Sequence, residues 1–123
     1  MDETISAVSL APRVKGLLEG DDFEALGRML DPDVTWAAAE FPDDGCRNRK
    51  EVLAWWRTAY EAGVRAEVTR VEVHGDSLLV SLKVRGREQE NEDRFQILVV
   101  GRRGVTEIAG YETRTEAVAH LDG

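Results

Sequence analysis

The chain has 123 residues, 42% of them hydrophobic and 33% charged, which is the size and balance of one ordinary globular domain. Sixteen Lys and Arg against 24 Asp and Glu leave a formal net charge of −8, which disfavours nucleic acid or an anionic membrane surface as a partner. The single cysteine excludes an internal disulfide, and neither histidine has a second ligand at metal-site spacing, so we expect no metal and no cofactor.

The N-terminal segment MDETISAVSLAPRVKG has no basic stretch ahead of a long apolar run, and no apolar run approaches the roughly 20 residues that span a bilayer. We therefore expect no signal peptide, no membrane partner and a cytoplasmic protein. Cys46 leaves two alternatives. The cations Arg47, Arg49 and Lys50 could lower its pKa, or it is an inert loop thiol, which we favour because no histidine is near in sequence.

Residues 1–62 have the pattern of helices with one short extended break. Apolar residues spaced at i, i+4, i+7 and i+8 from Leu10 predict a first helix. It should start near Ser9, hold Pro12 in its first turn and end at Gly20.

The second helix is predicted to start at Asp21, which has Glu24 three residues later, and to end at Pro32. Residues 33–40, DVTWAAAE, could then form a short strand, and FPDDG turns the chain.

A third helix is predicted from about residue 49 to 62, because Asn48 and Glu51 form a capping signal and Gly63 suits the position after a helix end. Consecutive residues of a helix diverge by roughly 100°, so its paired tryptophans cannot point the same way. Trp56 falls near the middle of the apolar face and Trp55 at its edge.

The second half of the chain reads as four strands and a short C-terminal helix, TEAVAHL. The strands are VRAEVTRVEVHG, SLLVSLKVRG, NEDRFQILVVG and GVTEIAGYETR, joined by connections short enough for antiparallel hairpins. Alternation along the third of these places Asp93 on one face with Phe95, Ile97 and Val99. Helices followed by strands indicate an α+β fold.

This order of elements, together with three segments, resembles the nuclear transport factor two-like superfamily, also called SnoaL-like. The segments are LLEGDDFEALGRMLDPDVTW, CRNRKEVLAWW and GVTEIAGYETRTEAV, and the likeness extends over about residues 10–120. It implies a single SnoaL-like domain over residues 1–123, in which three N-terminal helices pack on a strongly curved antiparallel sheet. This cone-shaped half-barrel would leave an apolar pocket at its open end.

Pockets of this superfamily host ketosteroid isomerases, epoxide hydrolases, dehydratases and polyketide cyclases, and many members have no known activity. The isomerase base position falls here in the alanine run 37–39, and Gly110 stands where hydrolases and cyclases carry an acid on the last strand. The later-strand aspartate of the isomerases is matched by Asp93. Burial on the Phe95 and Ile97 face would raise the pKa of Asp93 and make it a hydrogen-bond donor.

We therefore expect a pocket for a small hydrophobic molecule, without the standard catalytic acids and with Asp93 as its polar anchor. For Asp93 itself we favour the alternative of a solvated residue in the acidic loop GREQENED, because charged residues are rarely buried unpaired. The predicted lining is Trp36, Trp56, Tyr60, Leu82, Phe95, Ile97 and Ile108.

Two alternatives stay open. One is an isomerase, dehydratase or cyclase acting on a small hydrophobic metabolite, with Asp93 as proton donor and Glu112 or Tyr111 assisting. The other is an interaction module, most simply a homodimer, that uses the outer sheet face, where Leu79, Leu98 and Val100 are the exposed candidates.

Overall fold

The computed structural model describes residues 5–38, 45–86 and 92–122, and within them it contains four helices and five strands. In chain order these are α1 Ala7–Glu19, α2 Phe23–Met29, β1 Leu30–Ala38, α3 Arg49–Glu61, β2 Arg65–His74, β3 Ser77–Arg85, β4 Glu92–Gly101, β5 Gly104–Tyr111 and α4 Arg114–Asp122. The four predicted strands of the second half are confirmed, and the turn predicted at FPDDG lies almost entirely outside the described residues. No helix within these three ranges is long and apolar enough to cross a membrane.

The five strands form one sheet in the order β1-β5-β4-β3-β2. β2, β3, β4 and β5 pair in sequence as antiparallel neighbours, as expected for short hairpin connections. β1 pairs with β5 in parallel, so the sheet is mixed and the prediction of a wholly antiparallel sheet is wrong at this edge. The chain leaves β1 through α3 rather than through a tight turn, and such a connection does not force antiparallel pairing. The α+β class is confirmed.

Irregularities in the pairing fit the curvature of the sheet. The register shifts between Val68 and Arg70 in β2, and between Val99 and Val100 in β4. An extra residue in one strand of a pair bends that strand and increases its twist. The unclosed sheet therefore curves around the helices that pack on its inner face.

The first helix starts earlier than predicted. Its N-cap is Ser6, whose hydroxyl accepts a hydrogen bond from the Ser9 amide at 3.1 Å, while the Ser9 side chain caps the Ser6 amide in return. Pro12 consequently lies inside α1 rather than in its first turn. The reciprocal Ser6–Ser9 pair satisfies backbone donors that would otherwise remain unpaired, which places the start of the helix upstream of Ser9.

The second helix is capped by Asp22 rather than Asp21, through a 3.0 Å hydrogen bond from the Ala25 amide. It ends at Met29, because Leu30 already has extended backbone angles, and Pro32 lies in β1 instead of closing the helix. β1 is an edge strand whose pairing with β5 is irregular between residues 30 and 35. A proline is tolerated in such a place because no sheet partner needs its missing N–H.

The third helix agrees with its prediction. Asn48 accepts a hydrogen bond from the Glu51 amide at 3.0 Å, the helix spans Arg49–Glu61, and Gly63 adopts a positive φ of 94° just beyond it. A left-handed backbone at this position suits glycine because it has no Cβ.

Both faces of the sheet are covered. The main core lies between the helices α1–α3 and the inner face, and includes Val34, Val80, Leu98, Val100 and Ile108. A second cluster of Leu79, Ile97, Ala109 and Ala117 lies between the outer face and α4. The prediction that Leu79, Leu98 and Val100 are exposed together on the outer face is therefore wrong. Leu79 is buried beneath α4, and the other two belong to the main core on the opposite face.

A candidate ligand-binding cavity

A cavity of about 410 Å³ lies between the helices and the inner face of the sheet. This volume falls within the range of small-molecule sites in proteins. Its walls come from α1 to α3 on one side and from the strands on the other. The apolar and aromatic lining is formed by Leu18, Phe23, Leu26, Trp36, Trp55, Trp56, Ala59, Tyr60, Val64, Ala66, Leu82, Val84, Phe95 and Tyr111.

All three tryptophans of the chain line this cavity. The ring of Trp36, on β1, lies 4.9 Å from that of Trp55 at an interplanar angle of 69° and 5.3 Å from that of Trp56 at 54°. Neighbouring residues of α3 diverge, but the ring on the facing strand is wide enough to contact both of them. Trp36 is 4% exposed and Trp55 44% exposed, so the three rings extend from the core to the surface.

Tyr60 and Phe23 form a second aromatic pair in the lining, with ring centroids 5.8 Å apart and nearly perpendicular planes. The guanidinium of Arg65 lies 3.6 Å from the Tyr60 ring centroid and donates hydrogen bonds of 2.8 Å to the carbonyls of Tyr60 and Val64. A cation over an aromatic face is attracted by the ring quadrupole. Arg65 is therefore held at the edge of the cavity by the protein itself.

Glu19, from α1, is one of the two carboxylates in the lining. Its Oε2 atom accepts hydrogen bonds from Lys15 Nζ at 2.6 Å and from the Val68 amide at 2.7 Å. The hydrogen bond from Lys15 is the main reason why the pKa of Glu19 lies below its ordinary value, and burial opposes it. Glu19 is thus ionised and already paired.

The other carboxylate, Glu92, is paired with Arg94 two residues along β4, at 2.7 Å. The charged residues of the lining are then Glu19, Glu92, Arg65 and Arg94, two of each sign, and each has an intramolecular partner. A charged ligand would have to displace one of these contacts or remain unpaired in a largely apolar space, which is costly. The lining favours a neutral molecule.

Gln96 is the uncharged polar group on the inner face of β4, opposite Val80 of β3 and Gly110 of β5. Its Oε1 atom is buried, and no donor within the described part of the chain is in hydrogen-bonding position to it. An acceptor left in this state costs about 1–3 kcal/mol. The amide of Gln96 is therefore a polar group of the cavity whose bonding is incomplete among the described residues.

The structure brings together five of the seven residues predicted to line the pocket: Trp36, Trp56, Tyr60, Leu82 and Phe95. Phe95 also packs against the second cluster. The other two lie elsewhere. Ile97 belongs to the second cluster beneath α4, and Ile108 is fully buried in the main core without lining the cavity.

Asp93 does not line the cavity. Its side chain is exposed, faces Lys83 of β3 across the ladder, and shares the α4 side of the sheet with Phe95 and Ile97. The exposure of Asp93 agrees with the favoured alternative of a solvated residue. The burial that the polar-anchor hypothesis requires is not found, so that role has no support from the position of Asp93. Both faces of β4 carry apolar residues, so alternation alone does not show which of them meets the helices.

Among the lining residues that the sequence does not predict, three occupy the opposite face of β4: Glu92, Arg94 and Gln96. One signal was available, since they alternate in step with Leu98, which lies in the main core. Trp55 was also missed, because the helical wheel places it at the edge of the apolar face and shows nothing of the ring on β1.

Of the other two groups in the isomerase hypothesis, Tyr111 lines the cavity and Glu112 does not. The hydroxyl of Tyr111 is 2.5 Å from His120 Nδ1 on α4, and burial, aided by Glu107 and Glu116, raises the pKa of Tyr111. Glu112 is exposed beyond the end of β5. Asp93, Tyr111 and Glu112 are thus not brought together in the cavity.

Cys46 pairs through its backbone with Trp36, with N···O distances of 2.9 and 3.0 Å in the two directions. Its side chain is buried, and burial together with the charge of Glu51 raises the pKa of the thiol. Burial of the side chain favours the inert alternative for Cys46, and its low reactivity stays a prediction. Within the described residues, no three His, Cys, Asp or Glu side chains are grouped as metal ligands would be.

Comparison with solved structures shows the same fold in enzymes and in proteins of unassigned activity. A ketosteroid isomerase candidate from Kribbella flavida DSM 17836 superposes with a TM-score of 0.76 at 21% identity, covering 93% of this chain and 82% of that one. A hypothetical protein with a ketosteroid isomerase-like fold from Catenulispora acidiphila DSM 44928, in complex with trimethylamine, gives 0.68 at 15% identity, with coverages of 97% and 94%. An M. tuberculosis LEH-like epoxide hydrolase gives 0.70 at 15% identity, with coverages of 97% and 91%.

These identities are low enough that the likeness shows the fold and leaves the chemistry to the residues of each site. No curated protein matches the sequence. The sequence model of the SnoaL-like domain matches residues 14–119, which is most of the chain and contains the whole cavity lining. The chain therefore belongs to the SnoaL-like domain family, within the nuclear transport factor two-like superfamily.

Proposed function

We propose that this SnoaL-like domain binds a neutral, largely apolar small molecule in the cavity between α3 and the inner face of the sheet. The observation that carries the proposal is a cavity of about 410 Å³ lined by all three tryptophans, with charged residues that are balanced in sign and already paired. Aromatic walls with a few polar groups are the usual form of a small-molecule site.

Small-molecule binding also agrees with the structural relatives. The Catenulispora acidiphila protein is in complex with trimethylamine, and the M. tuberculosis protein of the same fold is an LEH-like epoxide hydrolase. The charge balance of the present cavity supports a neutral ligand rather than a cation, since both carboxylates of its lining are engaged by cations of the chain. We propose binding and no reaction, because the acids predicted for catalysis do not converge on the cavity.

The proposal can be tested by titrating ¹⁵N-labelled protein with indene, a neutral bicyclic hydrocarbon, and following the three tryptophan indole N–H signals by NMR. We expect saturable shifts of all three signals. Ala59→Phe, on the lining side of α3, should reduce the affinity at least tenfold because the added ring occupies the cavity.

The matched control is Ala54→Phe, which adds the same ring to an exposed position of the same helix outside the lining. Its affinity for indene should equal that of the unaltered protein. Absence of saturable shifts, or equal losses in the two variants, would show that the cavity is not the binding site.

A homodimer through the outer sheet face stays a prediction, as does a cytoplasmic location. The apolar part of that face is covered by α4 within one chain, so contact between two chains there would have to use its charged residues. Light scattering at micromolar concentration decides the matter. A mass of 13.7 kDa, that of one chain, would exclude the dimer.

A further inference from the structure

We propose that the cavity selects ligands that carry a hydrogen-bond donor, an N–H or O–H group, and that Gln96 is the residue that selects them. The inference rests on the proposed function, because it names the ligand class of the same cavity. It starts from a buried amide oxygen in the lining to which no donor of the described chain is directed.

Gln96 lines the cavity from the middle of the sheet. β4 is the central strand of five, and Gln96 lies on its inner face between Val80 and Gly110. The inner face of β4 runs from the charged pair Glu92 and Arg94 through Gln96 to Leu98, which is fully buried in the core. On this face of the strand, Gln96 therefore lies between the charged pair, which lines the cavity, and Leu98, which belongs to the core.

Gly110 contributes no side chain beside this amide. It is the direct cross-strand partner of Gln96, and both residues line the cavity. Gly110 is not among the glycines with positive φ, so its backbone does not require glycine. Directly opposed residues of antiparallel strands have side chains that start about 4.5–5.5 Å apart. A ligand atom in the space that a Gly110 side chain would fill is thus within reach of the Gln96 amide.

A donor on the ligand is favoured because the incomplete group is an acceptor. The last torsion of glutamine is broad, so the amide can turn its oxygen toward the space above Gly110 when a donor is present. A ligand without a donor leaves the oxygen unsatisfied, which lowers its affinity relative to an isosteric ligand with one. Arg65 and Arg94 do not compete as anchors, since both are already engaged by the protein.

The test compares three bicyclic probes of nearly equal shape, titrated by NMR: indole, which carries an N–H donor, benzofuran, which carries an oxygen acceptor, and indene, which carries neither. We expect indole to bind about five-fold more tightly than the other two, which is the usual net effect of one hydrogen bond. The side-chain amide signals of Gln96 should shift with indole and much less with indene.

Gln96→Leu should remove the preference for indole while retaining the affinity for indene. Thr106→Val is the matched control on β5. The hydroxyl of Thr106 donates a hydrogen bond to the Val99 carbonyl, and Thr106 lies outside the cavity lining. Its replacement should therefore keep the five-fold preference for indole. Gly110→Ala should weaken indole more than indene, since the methyl group occupies the space beside the amide.

The outcomes separate the two proposals. Equal affinities of the three probes for the unaltered protein, or a preference for indole that persists in Gln96→Leu, would overturn the role of Gln96 and leave the proposed function standing. Failure of all three probes to bind would overturn both. If Gln96→Leu does not fold, the Gln96 amide signals of the unaltered protein decide, and an absence of shifts with indole refutes the inference.

Discussion

Replacing Trp36 by alanine should destabilise the fold much more than the same change at Trp55. A buried tryptophan removes about 150–250 Å² from water, worth about 4–6 kcal/mol at about 25 cal/mol per Å². Trp36 is 4% exposed, so its burial contributes nearly all of this free energy, and its ring contacts both Trp55 and Trp56. Trp55 is 44% exposed, so its burial contributes about half of this free energy, and of the two ring contacts made by Trp36 it shares one.

We therefore expect the free energy of unfolding to fall by about 4 kcal/mol for Trp36→Ala and by about 2 kcal/mol for Trp55→Ala. For a domain of this size, a difference of 2 kcal/mol corresponds to about 8 °C in Tm. The assay is urea and thermal unfolding followed by far-UV circular dichroism, because tryptophan fluorescence changes with the substitutions themselves. Losses that agree within about 0.5 kcal/mol would refute the view that Trp36 is the buried centre of the aromatic wall.

Three further predictions concern the backbone, the thiol and a carboxylate. Gly104→Ala should cost at least about 3 kcal/mol in denaturant unfolding, because φ is +125° and the new Cβ would lie 2.4 Å from the Met29 carbonyl oxygen. Gly16→Ala, in an open helical position, should instead stabilise by about 0.5–1 kcal/mol. Cys46 should react with iodoacetamide at pH 8 at least ten times more slowly in the folded than in the urea-unfolded chain, since its pKa is raised above 9.0. Glu19→Gln should flatten the loss of stability on acidification, because the lowered pKa of Glu19 contributes stability that is present above pH 4.5 and lost as the pH falls through the folded pKa.

The glycine and thiol predictions each have an outcome that contradicts them. Equal unfolding free energies for the two glycine variants would mean that the close approach of Gly104 to α2 is relieved without cost. Fast alkylation of the folded chain would show an accessible thiolate at Cys46. The raised pKa of Cys46 also predicts an effect at alkaline pH. Its contribution to the free energy of unfolding is present below pH 9.0 and is lost as the pH rises through the raised pKa of the folded state. Cys46→Ala should therefore lessen the loss of stability at alkaline pH.

The positions of the later elements were predictable because their signals are local. Asn48 and Gly63 set the bounds of α3 through a side-chain cap and a left-handed residue, and each acts within its own turn. The hairpins β2 to β5 follow from short connections between alternating runs. The start of α1 was missed because a second local signal, the Ser6 and Ser9 pair, outweighs the apolar spacing from which the helix was predicted.

The sequence by itself determined the family, the α+β class and most aromatic residues of the cavity, since Trp36, Trp56 and Tyr60 are large apolar side chains that must be buried somewhere inside. Only the tertiary structure decided which face of β4 meets the helices. A strand presents two faces, and here α4 covers one while α1 to α3 cover the other, so both read as apolar. Asp93 is exposed on the outer side of β4, and Gln96 lies on the inner side that faces the helices. Because side chains alternate along a strand, knowing which face meets the helices replaces Asp93 by Gln96 as the proposed polar anchor.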